Sequence, residues 1–80
     1  MQLEFSSRAK RDLDEILSYL VQAGGNDVAR RVGRRIREKC EEIRPAPGMG
    51  KRQPHRPEIR KIIVGPHKIF YRIESERVII

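Results

Sequence analysis

Positions 59–80 read IRKIIVGPHKIFYRIESERVII, with apolar and polar residues in near period-two alternation. Gly65-Pro66 and Ser75-Glu76 interrupt the alternation, and short breaks of this kind predict an antiparallel meander of three strands. If both breaks are two-residue turns, Val64 lies opposite His67, Ile62 opposite Ile69 and Arg60 opposite Tyr71. Those residues, with Ile73, Val78 and Ile80, make one mostly apolar face that should pack on a second layer. The opposite face carries Lys61, Ile63, Lys68, Phe70, Arg72, Glu74, Arg77 and Ile79.

Upstream, the period changes to that of helices. Ala9, Leu13, Ile16, Leu17 and Leu20 form one apolar stripe, with charges on the other side. A hydroxyl at Ser6 or Ser7 can accept from a free first-turn amide, and Gly24-Gly25 can adopt the left-handed cap, so a helix is predicted over 7–24. Asn26 or Asp27 starts a second helix, 26–44, whose stripe is Ala29, Val32, Ile36, Cys40 and Ile43. Pro45 and Pro47 stop it. The following PAPGMGKRQP is rich in Pro and Gly, so 45–58 is predicted to be a loop. Residues 1–5 supply a short first strand. The order is β-α-α-β-β-β in one domain over 1–80: an α+β fold with a helical hairpin laid on a small antiparallel sheet.

Charge sharpens this picture. Of 80 residues, 18 are Lys or Arg and 11 are Asp or Glu, giving a net charge of +7. Up to Ala29 three basic residues face five acids, net −2; from Arg30 onward fifteen face six, net +9. The second half therefore invites an acidic partner, either nucleic acid or a protein that handles it. Lys61, Lys68, Arg72 and Arg77 interleaved with Phe70 and Ile63 could grip phosphates while offering an aromatic ring. The competing reading is an ordinary solvated sheet face. Arg30, Arg31, Arg34, Arg35 and Arg37 spread around the second helix. Arg34–Glu38 and Arg37–Glu41 have i,i+4 spacing, so the default reading there is a solvated charged face, with contact to DNA or an acidic protein as the alternative.

Other chemistry is thin. Single Cys40 excludes an internal disulfide framework and reads as a buried small hydrophobe. Two His and one Cys without ligand spacing predict no metal, and the absence of a glycine-rich phosphate loop predicts no nucleotide cofactor. No apolar run reaches membrane-spanning length, and MQLEF lacks a signal peptide's apolar core, so no membrane association and a cytoplasmic setting are expected. A chain this short buries limited surface, so a partner should add to its stability.

Taken in order, AKRDLDEILSYL (9–20), Ala29, Cys40-Glu41-Glu42-Ile43, Pro47-Gly48, Glu58-Ile59-Arg60 and Lys68-Ile69-Phe70-Tyr71-Arg72-Ile73 resemble the ParE/RelE superfamily of bacterial toxins, most closely its ParE branch. The resemblance implies the toxic half of a type II toxin–antitoxin module. ParE-like toxins poison DNA gyrase by binding; RelE-like relatives share the fold but cut mRNA on the ribosome. It further implies a hetero-oligomer with a cognate, ParD-like antitoxin carrying an N-terminal ribbon-helix-helix, through which operator DNA is contacted. Family members commonly continue past the last strand into a segment with His and Arg, where RelE-type nucleases place part of their apparatus. The sequence stops at Ile80, so the chain is expected to be naturally short or truncated there.

Under the gyrase reading, the target-binding candidates are Arg60, Lys61, Lys68, Phe70, Arg72 and Arg77. Arg60 stands where family members often have an arginine; its alternative is a salt bridge to Glu58 or to a helix acid. Under the nuclease reading, a base, an acid and phosphate-binding cations are needed, and the candidates are His55, Glu58, Arg60, His67 and Tyr71. Their alternatives are plain: exposed histidines at a loop and a turn, and a tyrosine packed in the core with its hydroxyl satisfied.

Overall fold

In the computed structural model, which describes residues 1–80, the stripes and the alternation come together as two layers. The helical run α1, Ser7–Ile43, begins where Ser6 leaves extended backbone and its hydroxyl accepts from the Ala9 amide at 3.1 Å. The run is interrupted at Gly25, whose φ of 88° and ψ of 173° belong to a region that side chains exclude. A straight helix of 37 residues would extend about 55 Å. The molecule's longest dimension is 38 Å, so the chain folds back at the break. The first arm, 7–24, lies on the second, 26–43. Gly33 permits the close approach: a Cβ there would stand 3.2 Å from Leu17 Cδ2. The helical hairpin expected from Gly24-Gly25 is the one observed.

The sheet has five strands: β1 Gln2–Glu4, β2 Lys51–Gln53, β3 Arg56–Val64, β4 His67–Glu74 and β5 Arg77–Ile79, in spatial order β1-β5-β4-β3-β2. The β3–β4 register is as expected, with Val64 opposite His67, Ile62 opposite Ile69 and Arg60 opposite Tyr71. Ser75-Glu76 is likewise a two-residue turn, and Glu74 faces Arg77 across it.

Two features of the sheet differ from expectation. It is mixed rather than antiparallel throughout, because β1 runs parallel to β5 with Leu3 beside Val78. Alternation within a strand carries no information about a partner more than seventy residues away. Ile80 donates to the Glu4 carbonyl at 2.9 Å and Ser6 to that of Ile80 at 3.1 Å, extending this ladder. The second difference lies in 45–58, expected as loop. It contains a 3-10 turn at Pro47–Met49 and strand β2, and β3 already starts at Arg56. Lys51-Arg52-Gln53 has no strand signature of its own; pairing of Lys51 with Lys61 and Arg52 with Arg60 imposes the conformation. A register shift after Arg52 ends it.

The core joins Ile36, Cys40 and Ile43 of the second arm to Ile62, Val64, Ile69, Tyr71 and Val78 of the sheet. The first arm contributes only half-buried residues, with Leu13 at the core's margin. Two residues depart from their assigned environments. Ile73, one core-face position beyond Tyr71, stays 40% exposed. Ile79, on the outer face, is buried between the neighbouring positions Arg72 and Glu4.

Candidate functional site

The outer sheet face depends on a clamp beneath it. Gly50 is buried against Tyr71, and a Cβ there would lie 2.6 Å from the Tyr71 hydroxyl, so only glycine fits. That hydroxyl donates to the Pro47 carbonyl at 2.7 Å and accepts from the Gly50 amide at 2.9 Å. Beside it, Arg60 Nη1 donates to the carbonyls of Gly50 (2.8 Å) and Gly48 (3.2 Å). Arg60 and Tyr71 are cross-strand partners, and together they seat the turn that delivers β2. Arg60 thus forms neither a salt bridge to Glu58 nor one to a helix acid. Its guanidinium holds backbone carbonyls, the best-satisfied use for a half-buried cation next to a turn.

Above the clamp, cross-strand register fixes the outer surface. Lys51, Lys61 and Phe70 form a row across β2, β3 and β4, and Ile63 stands opposite Lys68. Ile63 is 60% exposed and Phe70 48%, a pair of apolar side chains left open among lysines. Lys51, Lys61 and Lys68 form no ion pair. The arginines toward β5 are different. Arg72 Nε lies 3.0 Å from Glu74, and Arg77 reaches both Glu4 (2.7 Å) and Glu74 (3.3 Å). Of the cations expected on this face, Lys61 and Lys68 are free and Arg72 and Arg77 are partly neutralised. Lys51 is not recognisable from the sequence, because Lys51-Arg52-Gln53 becomes a strand only by pairing with β3.

The residues considered for nuclease chemistry are spread along the sheet. His55 is exposed in the β2–β3 turn, and His67 sits opposite Val64 at the far end of β3. Eight strand steps separate those two ends, about 26 Å. The pair is too far apart for one phosphodiester. Glu58 is held by Arg56 at 3.0 Å; its own backbone amide and that guanidinium keep its carboxyl below the usual range. Tyr71 is 2% exposed with its hydroxyl occupied twice. No group of three or more His, Cys, Asp or Glu gathers where a metal could bind. No helix is long and apolar enough to cross a membrane.

The arginines of the second arm form the solvated charged face expected of them, but without the ion pairs that their spacing allows. Neither Arg34–Glu38 nor Arg37–Glu41 forms, and none of Arg30, Arg31, Arg34, Arg35 or Arg37 makes an ion pair. Glu41 turns instead to Arg44 at 3.1 Å, and Glu42 to Lys39 at 3.1 Å. Arg44 thus takes the acid expected for Arg37, Glu38 makes no ion pair, and the five guanidinium groups remain exposed.

A family model described as the ParE toxin of type II toxin–antitoxin systems, parDE, matches residues 3–80. Toxin ParE1 of Caulobacter vibrioides is 38% identical over 69 residues, covering 85% of this chain and 72% of that protein. A solved chain of the chromosomal ParDE toxin–antitoxin system from P. aeruginosa superposes with a TM-score of 0.87 at 23% identity. That alignment covers 100% of this chain and 89% of the other, and it shows a common fold.

Proposed function

This chain belongs to the ParE toxin family of type II toxin–antitoxin systems, and we propose that it inhibits DNA gyrase by binding and is neutralised by a cognate antitoxin. The observation that carries this reading is the outer sheet face. Exposed Ile63 and Phe70 supply an apolar centre, and unpaired Lys51, Lys61 and Lys68 surround it. Protein interfaces are built from such anchors within a charged rim that selects a partner of opposite sign. An acidic surface or segment with apolar side chains of its own fits it, and this is binding chemistry rather than bond-breaking chemistry. The histidines stand at opposite ends of β3, a strand about 26 Å long, and give the nuclease alternative no assembled acid–base pair.

In this reading the antitoxin is ParD-like, forms a hetero-oligomer with the toxin, and presents a ribbon-helix-helix to operator DNA. The setting is the cytoplasm, where gyrase works. Purified chain is tested in gyrase supercoiling and cleavage assays beside ribosome-dependent mRNA cleavage. Accumulated gyrase–DNA breaks, suppressed on adding the antitoxin, are the expected result. Cut mRNA with unaffected gyrase would overturn the reading in favour of an endoribonuclease, and inactivity in both would leave a non-toxic nucleic-acid-binding relative.

A further inference from the structure

We infer that the arginine ridge of the second helical arm is a contact surface for the phosphate backbone of duplex DNA. Arg30, Arg31, Arg34 and Arg35 project from the side of the helix opposite Ala29, Gly33, Ile36 and Cys40, which are buried. Arg37 stands at the flank, with its guanidinium over the Gly33 groove. All five are exposed, and no acid of the chain pairs with any of them.

This arrangement works against the helix that bears it. Arg30–Arg34 and Arg31–Arg35 are like charges at i,i+4, which repel. A local rule broken without compensation inside the molecule points to a partner outside it.

The chemistry of the ridge identifies that partner. Every member is arginine, whose planar fork matches phosphate oxygens. No aromatic side chain stands among them, and the apolar ones they border, Ile63 and Val64 beside Arg35 and Leu17 near Arg37, lie at the flanks, so the ridge lacks the central anchors of a protein interface and the stacking rings that hold single strands. What remains is a stiff row of guanidinium groups about 10 Å long from Arg30 to Arg37. A regular, densely charged duplex backbone meets it at several points. The inference adds a toxin-borne contact to the one the antitoxin makes with DNA. It does not rest on gyrase being the target.

The test is binding of the full chain to a plain duplex of about 20 base pairs across a salt series, with no gyrase present. Five phosphate contacts would give a slope of log K against log salt near −4.5, about 0.9 per contact. R30Q/R31Q/R34Q should flatten the slope by about 2.7, whereas K61Q/K68Q/R72Q, which removes the same three charges, should leave it within about 1 unit of wild type. Circular-dichroism melts confirm that both variants fold, and R34Q alone, flattening the slope by about 0.9, serves if a triple variant does not. Equal loss from both triples would reduce the effect to net charge and overturn the inference. So would an unchanged slope in the helix variant. A polyglutamate peptide whose binding falls with the helix substitutions while duplex binding persists would reassign the ridge to an acidic protein.

Discussion

The molecule presents two cationic surfaces, and they are built differently. On the sheet, Lys51, Lys61 and Lys68 surround Ile63 and Phe70, and the surface is held from below by Arg60 and Tyr71 gripping the Pro47–Gly50 turn. On the second helical arm, five arginines stand without ion pairs and with apolar side chains only at the flanks, Ile63 and Val64 beside Arg35 and Leu17 near Arg37. The first has the makings of a protein interface, where burial supplies affinity and charge supplies selection. The second offers charge alone, which suits a partner that is itself little more than a line of charge. Net charge treats the two as one property. The difference appears only when each cation is sorted by its neighbours.

Charge reversal on the sheet is the largest test of that division. K61E/K68E/R72E places three negative charges on the outer sheet face, two at exposed positions and one at the half-buried Lys61, and surface substitutions of this kind usually cost a few tenths of a kcal/mol each. The protein should stay folded, and its affinity for an acidic partner should drop by roughly 100-fold or more as like charges face each other. Growth arrest on induction, read beside thermal melts, reports both. A folded triple variant that arrests growth like wild type would remove the sheet face from the mechanism.

Next in size is the clamp. Gly50→Ala would drive a methyl group to 2.6 Å from the Tyr71 hydroxyl and separate it from the Gly50 amide and the Pro47 carbonyl. Overpacking and orphaned buried polar groups together should cost about 2–4 kcal/mol. Urea unfolding measures the loss, and hydrogen exchange at Lys51 and Gln53 should show β2 opening first. Equal protection loss across all strands would mean that the clamp supports the whole sheet rather than its edge.

The same turn shows why part of this molecule was legible in the sequence and part was not. Helical stripes, Gly24-Gly25 and the β3–β4 register follow from spacing within a few residues, and they stand as read. The outer face followed from that register, so Lys61, Lys68 and Phe70 were placed with it. Strand β2 was hidden because Lys51-Arg52-Gln53 has strand character only when β3 lies beside it and Tyr71 holds the preceding turn. The role of Arg60 was hidden likewise, since its acceptors are carbonyls ten and twelve residues upstream. The arginine ridge is plain as composition, but its i,i+4 spacing to Glu38 and Glu41 does not become ion pairs: Glu41 turns to Arg44, and Glu38 takes no partner. Local patterns carry the elements; which polar groups finally meet is a tertiary fact.

Cys40 lies between the two surfaces, on the face of the helix that meets the sheet. Burial, with Glu41 adding repulsion, pushes its thiol from 9.0 up to about 11. In the unfolded chain the thiol ionises near its ordinary value, while the folded protein keeps it neutral to higher pH. The stability gained is complete below about pH 9 and is lost as pH rises through about 11, in total on the order of 2 kcal/mol. Cys40→Ala has no thiol to titrate. The stability gap between wild type and variant should therefore narrow from pH 8 to pH 11. A constant gap would show that helix and sheet separate for other reasons at alkaline pH.

The smallest effect bears most directly on the comparison. If the arginine ridge serves a partner at the helix's own expense, neutralising it should stabilise the free protein. R30Q/R31Q/R34Q removes the Arg30–Arg34 and Arg31–Arg35 repulsions, and glutamine has nearly the helix propensity of arginine. At about 0.2–0.5 kcal/mol per pair, the gain should be about 0.4–1 kcal/mol. For a domain of this size that is a rise in Tm of roughly 2–6 °C. Repulsion between exposed charges is screened, so the rise should shrink as salt approaches about 1 M, where the Debye length falls to about 3 Å. K61Q/K68Q/R72Q should gain less, because Arg72 gives up its contact with Glu74. A helix variant that melts lower than wild type at low salt would mean that these arginines support the fold, and the contrast between the two surfaces would be lost.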